Sequence, residues 1–141
     1  MPALRLSAFA ALAATALLAS GCAGTQKNSA TDFTGAEKQV ATAVEDLQSA
    51  GRKGDEAKIC DDLLAAALVS QIKKASATTC ATAVSKSLDD VDSYDIQVKN
   101  VKVTGNTATA RVESKATDGN RADTLQLVRE QNRWKLSSLG A

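Results

Sequence analysis

The spacing of apolar residues changes once along this chain, near Ser93, and this change limits the possible folds more than any other feature. Before Ser93, apolar residues recur every three or four positions, as on one face of an α-helix. After it, Ile96 and Val98 alternate with polar residues, as in a strand with one buried face. Helices followed by a run of strands predict an α+β domain, with the N-terminal helices packed on one face of an antiparallel sheet.

Three helices are predicted before Ser93. The first begins at a capping box formed by Thr34 and Glu37 and ends at Gly51. The second runs from about Glu56 to Val69, and the third begins near Thr79 after a polar connection.

About four strands are predicted after Ser93. Their alternation slips by one residue between Val98 and Val101, which predicts a β-bulge near Lys99 and Asn100. Long strands and a bulge together predict a strongly curved sheet. Turns between the strands are expected at Gly105-Asn106, Asp118-Gly119-Asn120 and Gln131-Asn132.

The N-terminal segment is typical of an export signal. A short stretch that contains Arg5 precedes an apolar run of about thirteen residues, which is too short to span a membrane as a helix. The run ends in Leu18-Ala19-Ser20-Gly21-Cys22, which resembles a bacterial lipobox. The resemblance implies cleavage before Cys22, lipid on its thiol and a fatty acyl chain such as palmitate on the new amino terminus. The alternative is an ordinary secretory signal in which Cys22 is incidental.

This reading divides the chain into three parts. Residues 1–21 are the signal peptide, residues 22–33 are the lipidated cysteine with a flexible tether, and residues 34–141 are the folded domain. We therefore expect the protein outside the cytoplasm, on the outer face of the cell membrane.

The charge and the cysteines exclude several classes of function. Removing Arg5 with the leader leaves 17 − 1 = 16 basic against 16 acidic residues, so nucleic-acid binding is not expected. The chain has no histidine, which argues against a metal site. Cys60 and Cys80 are expected to form a structural disulfide, because two thiols in one small exported domain usually pair. The alternative is a reactive dithiol, although such pairs usually read C-x-x-C.

The order of the elements and several local sequences resemble the nuclear transport factor two-like superfamily, in particular small lipoproteins of actinobacterial type. The resemblance covers residues 35–139 and implies a cone, in which the curved sheet wraps a long helix and can leave a pocket at its wide end. Members include isomerases, dehydratases, binding modules and assembly domains, so the fold alone does not give the function. The residues that carry the resemblance are Gly54-Asp55, Ile59-Cys60, Leu64, Cys80, the run from Val101 to Ala108, and Arg133-Trp134-Lys135-Leu136.

Five residues are the candidates for lining such a pocket. The resemblance implies that Trp134 packs against the helices, and the alternative is that its ring forms one wall of a binding site. Ala108 and Ala110 are small enough to leave space beside it, or to let the first helix approach closely. The complete candidate set is Tyr94, Ala108, Ala110, Leu125 and Trp134.

The sequence therefore favours a non-catalytic binding or accessory module with no cofactor. Its partners would be the membrane, through Cys22, and an apolar small molecule or an envelope protein. One alternative is a self-associating or complex-assembly domain with a filled cone. The other is a small pocket enzyme, which the absence of histidine disfavours because histidine is the commonest general base.

Overall fold

The computed structural model describes residues 29–91 and 95–138. The predictions for the leader, for Cys22 and for Tyr94 concern residues outside these ranges. The described chain forms a 3₁₀ turn, four α-helices and four strands. The helical elements are the turn Ser29–Asp32, α1 Gly35–Lys53, α2 Glu56–Lys58 with a π-helical turn Ile59–Leu63, α3 Ala66–Ser76 and α4 Cys80–Asp89.

Helix α1 runs past its expected end. Gly51 is buried within its last turn, and the helix ends instead at Gly54, whose φ of 62° is the left-handed conformation that glycine adopts without strain. Thr34 is extended, as an N-cap should be, but its side chain makes no capping hydrogen bond. The predicted capping box and the predicted end at Gly51 are therefore both wrong.

The predicted second helix is interrupted. Leu64 and Ala65 leave the helical conformation and run beside the last strand, where the Ala65 N–H donates to the Leu136 carbonyl at 2.8 Å. Helix α3 then occupies most of the expected polar connection. The prediction of one continuous helix is wrong because this pairing with a distant strand replaces the local helical hydrogen bonds. The next helix begins as predicted, with the Thr79 hydroxyl accepting from the Thr82 N–H at 3.2 Å.

The strands form one antiparallel sheet in sequence order. The predicted bulge is confirmed, because Val98 pairs with Val112 while Asn100 pairs with Arg111, which leaves Lys99 unpaired. The turns at Gly105-Asn106 and Gln131-Asn132 are confirmed, whereas the middle turn falls at Thr117-Asp118, since Gly119 already pairs with Ala116. The strands are β1 Ile96–Thr104, β2 Thr107–Ala116, β3 Gly119–Glu130 and β4 Arg133–Ser138.

The core lies between α1 and the curved sheet. Val40 and Val44 of α1 are fully buried against Ala110, Leu127 and Leu136 of the sheet. The α+β prediction, with helices packed on one face of an antiparallel sheet, is confirmed. A disulfide joins Cys60 in the π-helical turn to Cys80 at the start of α4, as predicted. Closing a loop of this length stabilises by about 3 kcal/mol on the chain-entropy model.

Each edge of the sheet is contacted by a segment from outside the sheet. At the β1 edge, the buried Ser29 hydroxyl accepts from the Val98 N–H at 3.1 Å, and the Ala30 N–H donates to the Glu45 carboxylate at 2.7 Å. At the β4 edge, Leu64 and Ala65 lie beside the strand. These contacts leave fewer free backbone groups at the edges for pairing with a second sheet. The expected tether is also shorter, because Ser29–Asp32 packs on the domain rather than hanging free.

Within the two described ranges, no helix is both long enough and apolar enough to cross a membrane.

We expect Ser29→Ala to destabilise the domain by about 1–2 kcal/mol, because the buried Val98 N–H would lose its acceptor. Urea unfolding followed by circular dichroism measures this change. The matched control is Ser87→Ala, since the exposed Ser87 hydroxyl bonds only within its own helix, and it should change stability by less than about 0.5 kcal/mol. Equal stability of the two variants would show that Ser29 does not hold the β1 edge.

Candidate functional site

A groove of about 710 Å³ opens on the surface between α1, the segment of α2 with its π-helical turn, and the β3–β4 hairpin. Sites for small organic molecules typically have volumes of about 300–1,000 Å³. The groove is lined by Gly35, Lys38, Gln39, Thr42, Ala43, Asp46, Lys58, Asp62, Leu63, Arg129, Asn132, Arg133 and Trp134.

The first wall is a polar stripe on α1. Gly35, Gln39, Thr42 and Asp46 are spaced by three or four residues, so they share one face of the helix. Ala43, which is buried, separates this stripe from the core-facing side. The groove therefore lies directly beside the hydrophobic core, but its α1 wall is hydrophilic.

The second wall is the end of the β3–β4 hairpin. Arg129 and Trp134 pair across the two strands, so their side chains lie on the same face of the sheet. The Arg129 guanidinium donates to the Asn132 side-chain oxygen at 2.8 Å. Gln131 and Asn132 both have positive φ, as a tight two-residue hairpin turn requires. The turn thus fixes one cation next to one aromatic ring.

The third wall is α2 with its π-helical turn, and two hydrogen bonds hold it against β4. Arg133 donates to the Asp62 carboxylate at 2.9 Å, and the Lys135 ammonium donates to the Asp61 carbonyl at 2.9 Å. Arg133 and Asp62 are each about half exposed, so their ion pair adds at most about 1 kcal/mol to stability. Its main effect is to fix the position of the wall and to neutralise both charges.

The charges that remain in the groove are mostly positive. Apart from the Arg133–Asp62 pair, the lining contains Lys38, Lys58 and Arg129 against one acid, Asp46. Neither Lys38 nor Lys58 has a side-chain hydrogen bond or an ion pair within the described part of the chain. The arrangement can bind a ligand, and its two free ammonium groups favour negative charge.

Trp134 is the aromatic residue of the groove and is 95% buried, with a relative exposure of 5%. Its indole Nε1 is buried and has no hydrogen-bond acceptor among the described residues. A buried donor without an acceptor costs about 1–3 kcal/mol. The residue therefore serves as both core and groove wall at some cost in stability.

The candidate pocket residues take different positions. Ala108, Ala110 and Leu125 lie in the hydrophobic core cluster, with at most 7% of their surface exposed. Trp134 belongs to this cluster and also lines the groove, while Tyr94 lies outside the described residues. Sequence reasoning missed the α1 stripe and the π-helical turn. The stripe could have been recognised from the helical spacing of its polar residues. An ordinary solvent-exposed helix face has the same spacing, so the pattern did not indicate a site.

Metal binding finds no support in the described ranges, where no three His, Cys, Asp or Glu side chains are grouped so that they could hold an ion.

Comparison with known proteins gives two findings. Residues 35–138 match a family that is described as "Putative lumazine-binding". A de novo designed NTF2 fold protein is structurally similar, with a TM-score of 0.53 and 12% sequence identity, over 75% of this chain and 87% of the designed one. No curated protein sequence matches the chain. The predicted cone-shaped fold of the nuclear transport factor two-like (NTF2-like) type is confirmed.

We expect Trp134→Phe to cost less than about 1.5 kcal/mol, because the loss of packing is offset by the loss of the unpaired N–H. Trp134→Ala should cost about 3–5 kcal/mol, since it leaves a large cavity. Urea unfolding followed by far-ultraviolet circular dichroism compares the two. A loss for Trp134→Phe well above about 1.5 kcal/mol would mean that the Nε1 donor is satisfied in solution.

Proposed function

The chain belongs to the family described as "Putative lumazine-binding", and we propose that it is a non-catalytic module that binds a small molecule and is anchored at the outer face of a membrane by lipid on Cys22. The observation that carries the proposal is the groove beside Trp134, which combines a suitable volume, an aromatic wall and several polar groups. Small-molecule sites usually have this composition.

The family description suggests a flat heteroaromatic ligand, and lumazine is the first compound to test. A flat ring gains affinity from contact with an aromatic side chain in the wall of its site. Trp134 provides an indole at the groove, with Arg129 beside it on the same face of the sheet. The α1 stripe offers the Gln39 amide and the Thr42 hydroxyl for polar contacts.

Binding without catalysis is supported by the side chains available in the groove. Its two acids are Asp46, which is exposed, and Asp62, which is paired with Arg133. The sequence contains no histidine. A general base needs a pKa near the working pH and a position beside the reacting atom. With these side chains we propose no reaction for the groove.

Self-association is less well supported. Among the described residues, Val91 is the one large hydrophobic side chain that is exposed, at 42% of its surface. Stable dimer interfaces need a larger apolar area. The contacted edges of the sheet also disfavour strand-to-strand pairing.

The anchor is proposed from the sequence of the leader. Six residues, 23–28, would separate Cys22 from the folded turn that begins at Ser29. Fully extended, that connection reaches at most about 25 Å. Two or more acyl chains hold such a domain stably at the bilayer, because each buried methylene contributes about 0.8 kcal/mol.

We expect Cys22→Ser to move the protein from the membrane fraction to the soluble fraction of the cell, because the thiol that carries the lipid is removed. Fractionation with immunoblotting measures the shift, and mass spectrometry of the wild-type N-terminus should show an acylated Cys22. The control is Cys60→Ser together with Cys80→Ser, which should stay in the membrane fraction. A membrane-bound Cys22→Ser variant would refute the anchor.

We expect lumazine to quench the fluorescence of Trp134, which is the single tryptophan of the chain and lines the groove. The mature chain, purified in detergent, is titrated with excitation of tryptophan alone. Thr42→Tyr should abolish the quenching by filling the groove from α1. Thr109→Tyr, on an exposed strand position outside the groove, should leave it unchanged. Identical titrations of both variants would place binding elsewhere.

A further inference from the structure

We infer that the groove selects small soluble anions, and specifically flat ring compounds that carry a carboxylate, over their neutral analogues. This inference rests on the proposed function, because it specifies the ligand class of the same groove. It goes beyond the family description, which says nothing about charge. The geometry points to it because three cations from separate elements, Lys38, Lys58 and Arg129, line the same groove.

The cations come from three separate elements. Lys38 belongs to α1, Lys58 to α2 and Arg129 to β3, and the fold brings all three to one groove. The whole chain is nearly neutral, with 17 basic and 16 acidic residues, so a local excess does not follow from composition. Asp46 is the one lining acid that is not already paired with a cation. The groove therefore carries a net local charge of 3 − 1 = +2.

The neighbouring ion pair does not cancel this excess. Arg133 and Asp62 neutralise each other at 2.9 Å, so together they add no net charge to the groove. Elsewhere, Arg52 pairs with Asp95 and Lys99 with Glu113, whereas other exposed lysines such as Lys102 have no ion pair among the described residues, so the groove differs in bringing its cations to one surface. Lys38 and Lys58 have no such partner within the described residues. Free ammonium groups beside a groove attract an anion and strengthen its binding when water is displaced.

Arg129 is positioned to recognise a carboxylate in particular. Its guanidinium donates to Asn132, which restrains it while other N–H donors remain available, and it lies across the strand pair from Trp134. Guanidinium and carboxylate form two parallel hydrogen bonds, and a restrained guanidinium loses little entropy in forming them. A ring bound against the part of Trp134 that lines the groove would bring its substituent next to this group. The groove thus joins a site for the ring to a site for the charge.

The experiment compares lumazine with lumazine-6-carboxylate on the mature chain by isothermal titration calorimetry. We expect the carboxylate to bind at least about tenfold more tightly, since a charge-assisted pair replaces a neutral contact. Raising KCl from about 0.05 M to about 0.5 M should weaken the carboxylate several-fold and leave lumazine unchanged, because salt screens exposed charges.

Variants that remove a positive charge and a variant that removes a negative charge distinguish electrostatic effects from packing effects. Lys58→Met and Arg129→Met should each weaken the carboxylate about five- to tenfold and so reduce its advantage over lumazine, whereas Asp46→Asn should tighten the carboxylate about two- to threefold. Lys102→Met, an exposed β1 lysine outside the groove, is the control and should change neither ligand. Circular dichroism confirms that each variant is folded.

The outcomes distinguish this inference from the proposed function. Equal affinity for the two compounds, or a salt effect shared by both, would overturn anion selection and leave the binding module in place. Anion selection by the groove would also be overturned if the carboxylate binds more tightly but Lys58→Met and Arg129→Met do not change this. Other residues would then recognise the charge. Binding of neither compound would count against the proposed function itself.

Discussion

The pairing of Leu64 and Ala65 with β4 is the contact on which the rest of the molecule depends. The Ala65 N–H donates to the carbonyl of Leu136, a residue with no exposed surface, so the chain must leave the helical conformation at this point. The break closes the β4 edge of the sheet. The residues just before it, Ile59–Leu63, form a π-helical turn, a feature that occurs frequently at functional sites. That turn brings Asp62 to Arg133 and completes the third wall of the groove.

How much of this could be predicted depends on the range of the interactions involved. The strands, the bulge at Lys99 and two of the three turns were predicted, because alternation and turn chemistry are local properties of the sequence. The pairing of Cys60 with Cys80 followed from the compartment that the leader implies. The break at Leu64 could not be predicted, because Leu64 and Ala65 are good helix formers and their partner is more than seventy residues away. The prediction of where α1 ends was wrong for a related reason. Two glycines, Gly51 and Gly54, could end the helix, and Gly51 is instead buried within it.

Of the residues that line the groove, only Trp134 was predicted from the sequence as a site residue. Trp134 stood out as the single tryptophan, and the structure places it both in the core and at the groove. Ala108 and Ala110 were predicted as candidates for lining a pocket, but their small side chains are packed in the core cluster. Lys38, Lys58 and Arg129 are far apart in sequence, and each resembles an ordinary solvated charge. Only the fold shows that they share a groove, since their juxtaposition depends on the break at Leu64 and on the β3–β4 turn.

The geometry of α1 separates the proposed anchor from the proposed site. Glu45 accepts the hydrogen bond from Ala30, which holds the end of the tether, while Asp46 lines the groove. Successive residues of an α-helix point about 100° apart, so the tether and the groove lie on different sides of the same helix. A domain held by lipid on Cys22 would therefore be attached along one side of α1 and could bind its ligand on another. Loss of the lipid should then change where the protein is found without changing what it binds.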